Sequence, residues 1–343
     1  MIGGEVVRLG VSLLTGRIAR IGCGGLAALL IGGAALAQAP GSPPPAPAAA
    51  DEFRVTLLGT GSPAPVMRRF GPGVLVQAGG RNLLIDSGRG VTQRLFQLGI
   101  KLGAIDTLFI THLHSDHIVG LPDLWLTGWL EAGYAQRKGP FRVKGPAGSQ
   151  NLMDGLVKAY EWDIKARIAD QNLDPANLKP EVAEIKEGVV YDQGGVKVTA
   201  FAVNHGELLH PAFGYRVDYA GRSVTVSGDT KFDENLIKHA TGTDLLIHQV
   251  AAAREALLEN PVFKVILDHH TKPEEAGVVF TRTKPKLAVY YHFVLLGSIS
   301  VSPITEKEVV DLTRKTYSGP LVAGEDLMAF RIDRDQVVQL PAK

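Results

Sequence analysis

The chain has 343 residues, a formal net charge of +1, 45% hydrophobic residues and one cysteine. That composition is globular, with enough length for one large domain or two small ones. The near-zero charge argues against a basic protein built to grip nucleic acid. A single cysteine excludes an internal disulfide and a cysteine-rich structural zinc site.

Residues 1–20 carry Arg8, Arg17 and Arg20 against Glu5, and an uncharged, glycine-diluted run follows from Ile21 to Leu36. It closes on Ala35-Leu36-Ala37, a small-x-small pattern. Basic flank, short apolar run and A-x-A together predict a secretory signal peptide over residues 1–37, hence export to the periplasm or beyond. An uncleaved anchor is the competing reading, but the run falls short of the ~20 residues a membrane span needs. Residues 38–50, rich in proline and alanine, predict an extended disordered tether. The folded domain is expected over 51–343. Without residues 1–37 the chain carries 33 Lys+Arg against 34 Asp+Glu and no cysteine.

From there, Arg54 to Thr60 predicts a strand that runs into the glycine-rich turn at Gly59 to Ser62. Gly73 to Ala78 and Arg81 to Ser87 predict a hairpin closed by Gly79-Gly80. Val91 to Leu98 reads as a helix, Thr107 to Thr111 as a short apolar strand, and Ile118 to Tyr134 as a long helix. Residues 150–192 read as a mostly helical insert. Further strands are expected at Val196 to Val203, Phe213 to Tyr219, Ser223 to Ser227, Leu245 to His248 and Leu287 to Tyr291. Thr271 and Glu274 stand at capping-box spacing, with Pro273 tolerated in the first turn, so a helix is expected to start there. Strands alternating with helices, mixed with hairpins, mean a layered α/β protein with a mixed sheet.

All ten histidines lie between residues 112 and 292. His112-Leu113-His114-Ser115-Asp116-His117 follows the apolar strand directly. In an extended segment, residues two apart point the same way, so His112, His114 and Asp116 converge, and a bend into helix after Ser115 brings in His117. Four nitrogen and oxygen donors at a strand end suit a metal ion. Left without one, such buried polar groups would be costly. His205, Asp229 and His292 each follow the end of another predicted strand, where α/β sheets gather their sites. Lone histidines such as His210 and His239 read as ordinary surface or core residues.

The motif His112-x-His114-x-Asp116-His117 resembles the H-x-H-x-D-H signature of the metallo-β-lactamase superfamily. Leu57 to Gly61, Leu84 to Gly88 with Thr92-Gln93-Arg94, Phe213 to Arg216, Ser227 to Thr230, Asp244 to His248 and His270-Thr271 resemble, in order, segments of its ribonuclease Z-like branch. The resemblance covers about residues 54 to 295. It implies the four-layer αββα sandwich with mixed sheets and a centre of two zinc ions. His112, His114 and His205 would bind the first ion; Asp116, His117 and His292 the second; Asp229 would bridge them. Imidazole and carboxylate also accept manganese or iron. Asp86 matches a carboxylate that orients a ligand, with a plain turn residue as the alternative.

The resemblance implies a hydrolase in which hydroxide held by the two metals attacks the substrate. Asp116 would belong to that catalytic centre. His270 and His248 match the family's late histidines; His270 is the better candidate for protonating the leaving group, and His269 competes for the role. Substrate is a separate matter, because one fold hosts many chemistries. Ribonuclease Z grips precursor tRNA with a basic arm, whereas residues 150–192 here carry five Lys+Arg against nine Asp+Glu. An acidic insert grips phosphates poorly, so a small ester-type substrate (a phosphodiester, an aryl sulfate or a related ester) is expected and nucleic acid is not. Trp125, Trp129, Tyr160 and Trp162 either wall a pocket for an apolar substrate or pack the insert onto the body. Their segments also resemble a group of the branch that includes β-lactamases, which keeps cyclic amides and lactones as alternatives. A non-catalytic metal-binding protein is the reading from another class; the complete ligand set speaks against it. The oligomeric state stays open, a homodimer included.

Overall fold

Residues 52–341 are described by a computed structural model; the expected signal peptide (1–37) and tether (38–50) lie outside the described residues. The first six strands build one sheet: β1 (Phe53–Gly59), β2 (Gly73–Ala78), β3 (Arg81–Ile85), β4 (Thr107–Phe109), β5 (Phe141–Gly145) and β6 (Pro180–Glu184). β1, β2 and β3 run antiparallel, and β3 to β6 parallel. The β2–β3 hairpin closes Ala78 on Arg81. Its turn has φ of 56° and 71° at Gly79 and Gly80, the left-handed pair that a two-residue turn matched to strand twist demands.

Seven more strands build the second sheet: β7 (Gly188–Gln193), β8 (Val196–Val203), β9 (Ala212–Tyr219), β10 (Arg222–Val226), β11 (Leu245–Ala252), β12 (Leu287–Leu295) and β13 (Leu321–Ala323). β7 to β10 are antiparallel and β10 to β13 parallel. The chain then returns to the edge of the first sheet as β14 (Ala329–Ile332), paired with β1, and β15 (Val337–Gln339).

The sheets bury their alternating residues against each other, with Val55, Leu57, Val76, Phe109, Tyr215, Val226, Ile247 and Tyr291 in that middle layer. The outer face of the first sheet (Leu58, Leu75, Leu84, Leu108) packs on α1 (Val91–Gln97), α2 (Ser115–Ile118), α3 (Leu121–Trp129), α4 (Ser149–Ala159) and α5 (Glu161–Gln171). The outer face of the second sheet (Leu246, Val250, Ala288, Tyr290) packs on α6 (Glu234–Ala240), α8 (Pro273–Thr283) and α9 (Glu306–Thr313); α7 (Pro261–Asp268) contributes Leu267 to a small satellite core. The result is the αββα sandwich with two mixed sheets, as the resemblance implied.

Three local expectations change, and one open alternative is decided for packing. The helix expected from Ile118 to Tyr134 is two pieces, α2 and α3, and ends at Trp129. Residues 150–192 are α-helical only to Gln171; after a 3-10 turn at Pro175–Asn177, β6 and β7 extend the open edges of both sheets. The helix after His270 starts at Pro273, and Glu275, not Glu274, accepts from the Lys272 amide (2.9 Å). Thr271 is no cap: its hydroxyl donates to the Thr230 carbonyl (2.8 Å). Trp125 and Trp129 wall no pocket. Both are buried, and their indole N–H groups donate to the Leu178 and Asp174 carbonyls (2.7 and 2.8 Å), stapling the chain after α5 onto α3.

Candidate metal centre

The site forms where β4, β8, β10 and β12 bring the chain to one edge of the sandwich. Beyond β4, the Thr111 amide and hydroxyl donate to the two oxygens of Asp86 (2.8 Å each), and the Phe213 amide donates to the Thr111 carbonyl (2.9 Å). The HxHxDH segment is thereby fixed against both sheets. α2 begins at Ser115 and turns Asp116 and His117 inward. Gly228 (φ 62°) makes the turn before Asp229, where a Cβ would stand 2.4 Å from the Phe213 carbonyl oxygen. His205 follows β8.

His292 departs from expectation. It lies inside β12, which continues to Leu295. Gln249 pairs with Tyr291 and Val250 with Phe293, so His292 is the extra residue of a β-bulge, at φ 42°. A bulge re-aims one side chain without ending the strand.

The seven expected ligand residues converge. His114 Nδ1 lies 3.0 Å from His112 Nε2 and 3.2 Å from His205 Nε2. Asp116 Oδ2 lies 3.2 Å from His292 Nε2 and 3.6 Å from His117 Nε2. Asp229 Oδ2 stands between the two groups, 3.3 Å from His292, 3.4 Å from His117 and 3.9 Å from His205. His270 Nε2 joins it at 3.4 Å. Asp86 sits behind: its Oδ2 is 2.7 Å from His117 Nδ1.

The residues fit a bound cation. His117 Nε2 and Asp229 Oδ1 are buried and lack any hydrogen-bond partner, an expensive state unless something else satisfies them. Donor separations of 3.0–3.9 Å bracket the edge of a tetrahedron around an ion bonded at about 2.0–2.2 Å. The far ring nitrogens of His112, His205 and His270 are already committed. His112 Nδ1 faces the Thr111 hydroxyl (3.0 Å), His205 Nδ1 the His269 carbonyl (2.9 Å) and His270 Nδ1 the Ile266 carbonyl (2.7 Å). Such partners fix each tautomer so that Nε2 is the nitrogen offered to the centre.

Electrostatics divide the cluster. Burial, with His117 nearby, holds His112 well below the usual imidazole range; burial likewise lowers His114, and lowers His205 to about 4. Burial alone would lower His117 too, but the Asp229 and Asp86 carboxylates outweigh it and raise it well above the usual range. Burial would lower His270, but its bond to Asp229, that carboxylate's charge and the Ile266 carbonyl together raise it. Burial opposes ionisation of Asp116 and Asp229, yet the surrounding imidazoles bring Asp116 down to about 2 and Asp229 well below the usual carboxylate range.

The structure does not bring His248 to the cluster. It shares a face of β11 with Leu246 and Val250, toward the helices, edge-on to Phe280 at 5.6 Å, and its Nδ1 lies 2.6 Å from the Gln249 carbonyl. Strand alternation sends its neighbour Gln249 the other way, where it donates to the Thr230 carbonyl (2.7 Å). His269 gives its carbonyl to His205, with its ring beside Gly206. His239 stacks on Phe201 (4.8 Å). Sequence reasoning missed Thr111, which ties Asp86, His112 and the second sheet together; its position just before His112 was the available signal.

The chain belongs to the family described as anti-Pycsar protein Apyc1, matched over residues 53–260, and with it to the ribonuclease Z-like branch of the metallo-β-lactamase superfamily. Ribonuclease Z of Mycolicibacterium gilvum is 34% identical over 82% of this chain and 96% of its own length. Among solved structures, the metallo-β-lactamase fold protein YhfI from Bacillus subtilis superposes with a TM-score of 0.61 at 17% identity, covering 81% of this chain and 99% of that one. The short form of human tRNase Z superposes with a TM-score of 0.58 at 24% identity, covering 80% and 98%. The protein is a metal-dependent hydrolase.

Proposed function

We propose that the protein is an exported hydrolase of small phosphodiesters or related esters, working with two divalent cations, zinc in the first instance. The observation that carries this reading is the position of Asp229 Oδ2, between two three-residue donor groups and within 3.4 Å of His270 Nε2. His112, His114 and His205 would hold one cation, Asp116, His117 and His292 the other, and Asp229 both. Cations held by these residues would supply Lewis-acid chemistry, polarising a phosphoryl or carbonyl oxygen and activating water at neutral pH.

The chain's own residues supply the rest. Asp116 and Asp229 alone would repel an anionic ester, so their charge must be offset before substrate can approach. His112 and His205 are buried while His114 is exposed, so substrate reaches the centre past His114. His270, its Nδ1 fixed on the Ile266 carbonyl, offers Nε2 as the proton donor to a leaving oxygen.

A second reading, cleavage of precursor tRNA, is favoured by the curated relatives named ribonuclease Z. Against it, two of the insert's five cations pair within the insert: Lys165 with Glu161 (2.7 Å) and Arg167 with Asp163 (2.9 Å). A substrate panel on the zinc-loaded protein decides: an aryl phosphodiester, an aryl sulfate, a lactone, a chromogenic cephalosporin and precursor tRNA. The proposal expects turnover to be fastest on the phosphodiester or sulfate. Fastest cleavage of tRNA, lactone or cephalosporin overturns it, as does no turnover at all. Fractionation of the producing cells tests export.

A further inference from the structure

His292 occupies a strained position. A non-glycine residue at φ 42° in a bulge persists only when its surroundings over-determine it. The backbone bonds that do so lie on either side of it. On one side the Gly324 amide donates to the Tyr290 carbonyl (2.9 Å); on the other the Phe293 amide donates to the Thr60 carbonyl (3.0 Å). Gly324 and Thr60 come from opposite ends of the domain, and one atom joins them. Arg69 Nη1 donates to the Thr60 hydroxyl (2.6 Å) and to the Gly324 carbonyl (2.7 Å).

Arg69 is 6% exposed, and its guanidinium lies 4.4 Å from the centre of the Phe293 ring. Its Nε donates to Glu306 (3.2 Å). Asp326 completes the frame. It accepts from the Thr60 amide and hydroxyl (2.9 and 2.8 Å), the Phe70 amide (2.7 Å) and Arg94 (2.9 Å). One guanidinium thus serves both acceptors through Nη1, Glu306 through Nε and the Phe293 ring through its face, a set that a lysine ammonium cannot match in full.

The geometry points to Arg69 as the positioning residue for His292: it clips together the two backbone contacts that hold the bulge open, and so sets where His292 Nε2 meets Asp116 and Asp229. This rests on the reading that His292 holds a cation. Arg69 touches neither substrate nor cation.

The experiment is a zinc titration of the metal-free full chain against a chromophoric chelator, comparing wild type, Arg69→Lys, Arg69→Met and His292→Ala. Trp129→Phe serves as a variant altered in the opposite outer layer. The expected result is a 10- to 100-fold weaker second zinc equivalent in Arg69→Met, a smaller loss in Arg69→Lys, and an unchanged first equivalent in both. Trp129→Phe should leave both equivalents unchanged. If His292→Ala loses the second equivalent while both Arg69 variants bind as wild type does, the positioning role is overturned and the centre stands. If His292→Ala also binds both equivalents normally, the reading of the centre falls with it. Arg69→Lys, with charge and most of its bulk kept, carries the test should Arg69→Met fail to fold.

Discussion

The two donor groups of the centre are built differently. His112 and His205 take their orientation from a hydroxyl and a main-chain carbonyl close to the site, and His114 lies open to solvent. Asp116, His117 and His292 are all buried, backed by a carboxylate, a bulge and contacts from both ends of the domain. Burial lowers the imidazole pKa values of the first group, whereas the Asp229 and Asp86 carboxylates raise that of His117 in the second. In the proposed reading the first group would be the side where substrate and solvent exchange, and the second the fixed reference against which they are placed.

The strongest way to break that division is Asp229→Ala, which removes the oxygen both groups share. Turnover should fall by several kcal/mol of barrier, roughly a thousand-fold; metal content should fall too while the circular dichroism spectrum persists. Retained turnover would mean that the groups act separately.

His270→Ala comes next. It should lose about 10²–10⁴ in rate on substrates with poor leaving groups and far less on nitrophenyl esters, with both metals retained. Equal losses across a leaving-group series would remove the acid role.

Asp86→Asn sharpens the contrast further, because its Oδ2 braces only the second group directly. Affinity for the second cation should drop about 10- to 100-fold, with the first changed less, measured in the same titration. A reversed order would show that the bracing runs through Thr111 to His112 instead.

The smallest effect lies far from the cluster. Glu308 caps α9, accepting from the Thr305 amide and hydroxyl and from Arg254 (2.8, 2.7 and 2.9 Å). The Arg254 bond, then those to Thr305, depress its pKa from 4.5 to about 2. A depressed carboxylate stabilises the fold above the unfolded-state pKa and loses that contribution as pH falls toward 2. The melting temperature of Glu308→Gln should therefore lie slightly below wild type at pH 6 and converge on it near pH 2. A constant gap would refute the link.

The central residues were legible because the chemistry is local. Three imidazoles and a carboxylate within His112 to His117 admit few other readings, and His205 and Asp229 end clear apolar strands. His292 was found but misplaced. β12 is apolar on both faces, so no alternation betrays an extra residue in Leu287 to Leu295. The same two-sided burial hid which way His248 points. β6 and β7 were missed as half-exposed edge strands whose charged residues look like insert. Arg69 and Asp326 could not be paired at all: they meet through Thr60 and their own chain neighbours, across a separation that a single sequence does not encode. The fourfold spacing of Trp125 and Trp129 suited a pocket wall as well as a staple, and only their indole partners separate the two.

The bulge in β12 has one more consequence. Val289 and Tyr291 face the middle layer, while Ala288, Tyr290 and Phe293 face the helices. Without His292 that order would be unbroken, Tyr290 out, Tyr291 in, Phe293 out, and every ladder partner on β11 would keep its place. His292 is therefore a guest in the strand, contributing nothing to the ladder's arithmetic. Excising that one residue would leave a sheet more regular than the native one and would take away one of the seven residues proposed to hold the cations.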